Sequence, residues 1–184
     1  MKRYWELLGS ETVFSDRIMK VRHDRYHFLP NDVLRDFTVL EFADWVNIIP
    51  ITPDGMVVMI RQYRLGTRRE TLEIPGGLIS EHDPDPLAAA AREMTEETGY
   101  HSDEIIHIGT VEPNPAIQNN RCYTFLALNT KPISGQNLDP TEAIDVELVR
   151  RQDIAGLIRS SRITHSLVIA AFAHLMLYER NGLH

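Results

Sequence analysis

GLISEHDPDPLAAAAREMTEETGY, residues 77–100, runs from a loop rich in Asp and Pro through a stretch of alanines to carboxylates at positions 93, 96 and 97. Asp85 suits a helix cap, Pro86 a first turn and Gly99 a terminator, so residues 87–98 are predicted helical. Leu87, Ala91 and Met94 fall at helical spacing and are expected to face a core. At about 100° per residue, Glu97 lies about 40° to one side of Glu93 and Glu96 about 60° to the other. The three acids therefore share one face. Like charges four apart destabilise a helix by roughly a few tenths of a kcal/mol, and anions near its C-terminal end oppose the macrodipole. Arg92 can pair with Glu96 at i, i+4, but one cation cannot neutralise three anions. Two readings follow: a solvated acidic surface, or oxygen ligands for a hard divalent cation, Mg2+ or Mn2+. The scattered histidines and the single cysteine, Cys122, form no zinc-ligand spacing.

Outward from that helix, the chain reads mostly as strands. Val13 to His27 and Val33 to Phe42, separated by the turn residues Pro30-Asn31-Asp32, suggest an N-terminal hairpin. Trp45 to Thr52, then Pro53-Asp54-Gly55, then Met56 to Arg64 reads as strand, turn, strand. A short strand, Thr71 to Ile74, is expected to stop at Pro75-Gly76-Gly77. Further strands are predicted at 104–111, 121–128 and 143–149, and helices at 151–159 and 164–180. Strands interleaved with few helices predict a mixed sheet covered by helices.

The bulk composition narrows the function classes. A length of 184 residues with 43% hydrophobic content suits one domain with a sizeable core, with room for a small appended subdomain. Nineteen Lys and Arg against 26 Asp and Glu give a net charge of -7, which offers little hold on nucleic acid or anionic lipid. The N-terminus lacks the apolar core of a secretion signal, and the longest apolar run, 166–178, falls short of a membrane span. A cytoplasmic protein without membrane partners is expected.

Residues 77–100 resemble the signature of the Nudix hydrolases: Gly, five residues, Glu, seven residues, then Arg-Glu-apolar-x-Glu-Glu-x-Gly-apolar. The second half, REMTEETGY, matches at every defined position, with Gly77, Arg92 and Gly99 as structural members of the motif. The first half departs from it. The first Glu of the signature falls on Asp83 counting forward from Gly77 and on Pro84 counting back from Arg92, so the loop carries one extra residue. In the family that glutamate pairs with the arginine, which leaves Asp83 or Asp85 to do so for Arg92. Outside the motif, VVMIRQYR (57–64), LEIPGG (72–77), Pro115, LDPTEAIDV (138–146) and THSLVIAA (164–171) resemble the ADP-ribose pyrophosphatase branch.

The resemblance implies an α+β fold, a Nudix-like α/β/α sandwich with a mixed β-sheet over residues 45–184. It also implies a β-rich N-terminal arm over 1–44, exchanged between the subunits of a homodimer. It makes Glu93, Glu96 and Glu97 catalytic metal ligands with the Gly76 carbonyl, holding two or more Mg2+ ions, with Mn2+ as the other candidate. The substrate implied is a nucleoside diphosphate sugar such as ADP-ribose, cut without a covalent intermediate. Glu142, with Asp139 nearby, matches the loop that supplies the general base, and is equally readable as a surface acid. Arg64, Arg61 and Glu73 are the substrate-binding candidates. Period-two geometry lets only one arginine face the site, and Arg64 is favoured. An Arg64–Glu73 salt bridge is the alternative for that pair. The amides of 114–121 could meet a base or sugar, or serve the turn. Other nucleoside diphosphate derivatives, or nucleotide binding without cleavage, are the competing functions.

Overall fold

The computed structural model describes residues 4–180 and 182. The chain divides into two compact units, the described part of Met1–Asp44 with Glu112–Arg121, and Trp45–Val111 with the described part of Cys122–His184.

The first unit is an antiparallel sheet of three strands, β1 (Trp5–Ser15), β2 (Met19–Phe28) and β3 (Val33–Phe42), in that order. The expected hairpin thus gains a strand, because the stretch beginning at Val13 is broken by a turn at Asp16. Its Oδ1 accepts the amides of Ile18 and Met19, both at 2.8 Å, and reverses the chain without Gly or Pro. Trp5, Tyr26, Phe28 and Phe37 pack on one face of this sheet, with ring centroids 4.5–6.2 Å apart. Beside them Asp24, 1% exposed, takes Arg22 Nε at 2.9 Å and the Ser10 hydroxyl. The segment Glu112–Arg121 joins this unit by a backbone–backbone bond and by a backbone amide that reaches a side chain. Leu40 N donates to Ile117 O at 2.7 Å, and Arg121 N to Asp44 Oδ1 at 2.7 Å.

The second unit begins with β4 (Trp45–Pro50), β5 (Met56–Arg64), β6 (Arg69–Glu73) and β7 (Gly76–Leu78). Helix α1 (Pro86–Thr98), β8 (Tyr100–His101), β9 (Glu104–Val111), β10 (Cys122–Leu128) and β11 (Lys131–Pro132) follow, then β12 (Ile144–Arg150), α2 (Ile154–Arg159) and α3 (Ser166–Arg180). A mixed sheet runs β7-β4-β10-β9, with β4 and β10 parallel, and an antiparallel sheet runs β12-β5-β6. The strand–turn–strand reading of 45–64 holds, yet β4 and β5 enter different sheets and share one bridge, Ile51 with Val57.

Because side chains of a strand alternate, β4 feeds both sides of its sheet. Val46 and Ile48 pack with Ala89, Ala90 and Met94 of α1 and with Phe125 and Ala127 of β10. Ile49 and Ile51 pack on the other side with Ile154 of α2 and Val168, Ala171, Phe172 and Leu175 of α3. The result is the helix–sheet–helix layering expected of an α+β chain. Each fully buried Val, Leu, Ile, Phe or Met side chain in these layers contributes about 1.5–3 kcal/mol. No helix among the described residues is long and apolar enough to cross a membrane.

Candidate active site on the acidic helix

Helix α1 starts and stops where its sequence dictates. Asp85 Oδ1 accepts the Ala88 amide at 2.8 Å, Pro86 follows it, and Gly99 closes the helix at a φ of 73°. The buried stripe differs from the one expected. Met94 is buried as expected, but Leu87 is 43% exposed and Ala91 only half-buried, while Ala89, Ala90 and Glu97 are buried. The simple apolar pattern failed because one member of the true inward stripe is a carboxylate.

A second correction concerns the glycines ahead of the helix. The strand ahead of them ends at Glu73, as expected, but Gly76 and Gly77 are not a turn: they form β7, paired with β4 at Asn47 and Val46. Gly76 has to lack a side chain, while Gly77 leaves the Glu93 carboxylate where it stands. A Cβ on Gly76 would stand 2.3 Å from the Val46 carbonyl oxygen, and one on Gly77 would stand 2.5 Å from Glu93 Oε1. Gly76 N donates to Glu97 Oε2 at 2.9 Å, so this short strand lies directly against the acidic face.

Glu97 is only 4% exposed, and burial pushes its carboxyl up to about 8, with the charges of Glu93 and Glu142 adding to the effect. The Gly76 amide and Arg64 act in the opposite direction without cancelling it. Glu93, with its side chain 15% exposed, is also raised by burial, although Arg92 opposes the shift. A solvated acidic surface would show neither burial nor such shifts.

Arg92 organises the rest. It grips Asp83 through Nε at 2.9 Å and Nη2 at 3.0 Å, and also reaches Glu93 Oε1 at 2.9 Å and Glu96 Oε2 at 2.8 Å. Asp83 is therefore the partner that replaces the missing glutamate, while Asp85 is the helix cap. The Arg92 hydrogen bonds hold the Asp83 carboxyl well below its usual range, and the Ser80 amide adds a bond at 2.8 Å. The loop ahead of the helix contains a turn closed by Asp83 N donating to Ser80 O at 3.1 Å.

On β5 the two arginines part as period two requires. Arg64 makes a bidentate pair with Glu73 at 2.8 and 2.7 Å, and its charge is felt by Glu97. Arg61 instead pairs with Glu147 of β12 at 2.6 Å. Glu73 is 2% exposed, and although burial opposes its ionisation, the Arg64 hydrogen bonds hold it below its ordinary value. Arg64 keeps 40% of its side chain exposed, enough to present donors outward. Glu142 lies on an exposed loop, its Oε2 accepting the Asp139 amide at 3.2 Å, and its charge reaches Glu93, Glu97 and Arg64. His165 was not singled out by any sequence signal. Burial pushes its imidazole below the ordinary value, with Glu73 opposing the shift and Arg64 adding to it, and its Nδ1 has no hydrogen-bond partner among the described residues.

The loop amides of 114–121 lie in the N-terminal unit. Asn119 Oδ1 accepts the Phe42 amide at 3.3 Å and Asn120 Nδ2 donates to Ala43 O at 3.3 Å, which favours their structural reading. Among the described residues no three acidic, His or Cys side chains converge on one point, and Glu93 and Glu96 both pair with Arg92. Two buried, mutually repelling carboxylates with hard oxygen donors are nevertheless a chemical fit to a divalent cation.

The pattern of the NUDIX domain family matches residues 42–172. The chain is 28% identical to a methanol dehydrogenase activator of Bacillus methanolicus and 25% identical to an ADP-ribose pyrophosphatase of Bacillus subtilis. In each case the match covers 94% of this chain and 92% of the relative. In fold it is similar to a crystal structure described as an ADP compounds hydrolase, with a TM-score of 0.85 and 22% identity over 98% of this chain and 96% of the other. With the acidic helix and the α/β/α layers in their expected places, the chain belongs to the NUDIX domain family.

Proposed function

We propose that this Nudix hydrolase of nucleoside diphosphate derivatives cuts the diphosphate linkage of ADP-ribose or a related nucleoside diphosphate sugar, releasing a nucleoside monophosphate and a sugar phosphate. The observation that carries this reading is the burial of Glu97 and Glu93 against the Gly76-Gly77 strand, on one helix face, with too little positive charge to neutralise them. Similarity to the Bacillus subtilis ADP-ribose pyrophosphatase along 94% of the chain supports the substrate class.

Glu93, Glu96 and Glu97, with the Gly76 carbonyl, would hold Mg2+ or Mn2+. Bound there, a divalent cation supplies charge neutralisation for the diphosphate and acidifies water. The chain's own groups do the remaining work. Arg64 offers a planar pair of donors to a phosphate oxygen, and Glu73 fixes its orientation. Glu142, one of whose carboxylate oxygens is held by the Asp139 amide, accepts the proton of the attacking water. Arg92, locked by Asp83, holds the loop and α1 in register. We further propose that the apolar side chains left exposed on the N-terminal sheet, among them Leu7, Phe14, Leu34 and Phe37, are covered in a homodimer.

The test is a panel of ADP-ribose, other nucleoside diphosphate sugars and dinucleoside polyphosphates, assayed with Mg2+, with Mn2+ and with chelator. AMP and ribose 5-phosphate appearing only with metal support the reading. A parent protein that binds these compounds but leaves them intact overturns it. The likeness to a methanol dehydrogenase activator favours a second reading, action on the output of another enzyme, which is tested by adding the protein to a dehydrogenase assay.

A further inference from the structure

Gln136 belongs to no motif of the sequence, yet its side chain ties two distant parts of the second unit together. Nε2 donates to the carbonyl of Glu97 at 2.7 Å and to the carbonyl of Ile144 at 3.0 Å. Both partners only accept, so the amide NH2 alone can serve, one proton to each. Glu97 sits in the last turn of α1, and Ile144 opens β12. The neighbouring backbone adds to the α1 side of this link, whereas the link to Ile144 is made by the Gln136 side chain. Asn137 N donates to Glu96 O at 2.8 Å and Ile133 N to Gly99 O at 2.9 Å, so this segment satisfies carbonyls that the end of α1 cannot satisfy itself.

Between the two points that Gln136 joins lies the loop 138–143, which carries Asp139 and Glu142 and forms no helix or strand. Inside it, Asp139 N holds Glu142 Oε2 at 3.2 Å and Glu142 N donates to Asp139 O at 2.9 Å, making a closed turn. The turn is therefore closed on itself and tied at its base. From this geometry we infer that Gln136 is a positioning residue, a clamp that sets where the Glu142 turn stands relative to the Glu93 and Glu97 carboxylates. The inference rests on the reading of Glu142 as general base. A misplacement of about 1 Å at the base of such a loop is enough to cost a large factor in rate. Because Gln136 is itself exposed, water can replace its bonds without unfolding the protein.

The experiment compares Gln136→Ala and Gln136→Glu, each in the parent and in a Glu142→Gln background, by steady-state kinetics on ADP-ribose with Mg2+. Gln136→Glu keeps the length but turns the donors into acceptors that face two carbonyls. A side chain needed only to fill space would tolerate it. Both changes should lower kcat by about tenfold or more with KM within about twofold, and should cost less than about twofold once Glu142 is gone. Hydrogen exchange on metal-free protein should show faster exchange across 138–144 in both variants. Unchanged kcat, an equal loss in both backgrounds, a fully active Gln136→Glu, or unchanged exchange would each overturn the clamp. An inactive parent, or a Glu142→Gln variant at full rate, defeats the functional reading and the positioning role with it.

Discussion

Glu97→Gln should make the metal-free protein more stable at neutral and alkaline pH. The side chain is buried, and burial raises its carboxyl from an ordinary value of 4.5 to about 8. A carboxyl raised in the folded state binds a proton that the unfolded chain has already lost, so stability falls as pH rises between those two values. The loss amounts to about 3 kcal/mol by pH 7 and approaches about 5 kcal/mol above pH 9, as orders of magnitude. Gln carries no charge, and its amide oxygen still accepts the Gly76 amide that now reaches Glu97 Oε2 at 2.9 Å. The substitution therefore removes the electrostatic penalty and keeps the bond. For a chain of this size each kcal/mol moves the melting temperature by about 2–4 °C, so the variant should melt about 6–12 °C above the parent at pH 7. At pH 4 the two should coincide. Saturating Mg2+ should close the gap by stabilising the parent alone. Thermal melts from pH 4 to 9 in chelator and in Mg2+ measure this. Parallel pH slopes in chelator for parent and Glu97→Gln would refute the reasoning, since Glu97 would then ionise as freely folded as unfolded.

Asp83→Ala removes the grip on Arg92 and should cost about 1–3 kcal/mol by denaturant unfolding. Because the folded Asp83 carboxyl is depressed, its contribution is complete above about pH 4 and fades as pH falls further, which acid titration of the variant will show as a missing transition. Gly76→Ala would set a methyl 2.3 Å from a backbone oxygen and should unfold or displace β7, seen as a lowered melting temperature. Gly77→Ala meets the Glu93 carboxylate instead, and should lower activity more than stability. Arg64→Ala strands the buried Glu73 and should destabilise by about 3 kcal/mol, whereas Arg61→Ala breaks a half-exposed pair and should cost under about 1 kcal/mol.

The fold of the second unit was readable because its signals were local and redundant. Asp85, Pro86 and Gly99 bracket α1, and the strand at 104–111 is where alternation and turns placed it. The N-terminal sheet was misread at one place, Asp16, whose turn is made by a side-chain oxygen rather than by Gly or Pro. Nor does local sequence show that Glu112–Arg121 joins the N-terminal unit, or that β4 and β5 part into separate sheets. Those are matters of pairing across long sequence separations, set by which faces bury together.

The acidic helix shows why the site was only half legible. Helical spacing placed Glu93, Glu96 and Glu97 on one face, and that much is geometry. Whether the face turned to water or to the interior could not be read from charge, since any hydrophobicity rule assigns it to solvent. In the structure the inward stripe is Ala90, Met94 and Glu97, while Leu87, the larger apolar side chain, stands outside. A fold that buries a carboxylate and exposes a leucine on the same helix gives up stability in the metal-free state. The cost concentrates at the residue that the glycine strand presses upon, where Gly76 offers one amide and Gly77 leaves room for Glu93. Local preference and burial disagree there, as is expected of a site selected for chemistry rather than packing. Asp83 and Arg92 supply the compensation, anchoring the loop so that the strained face keeps its shape without the glutamate that the family motif carries.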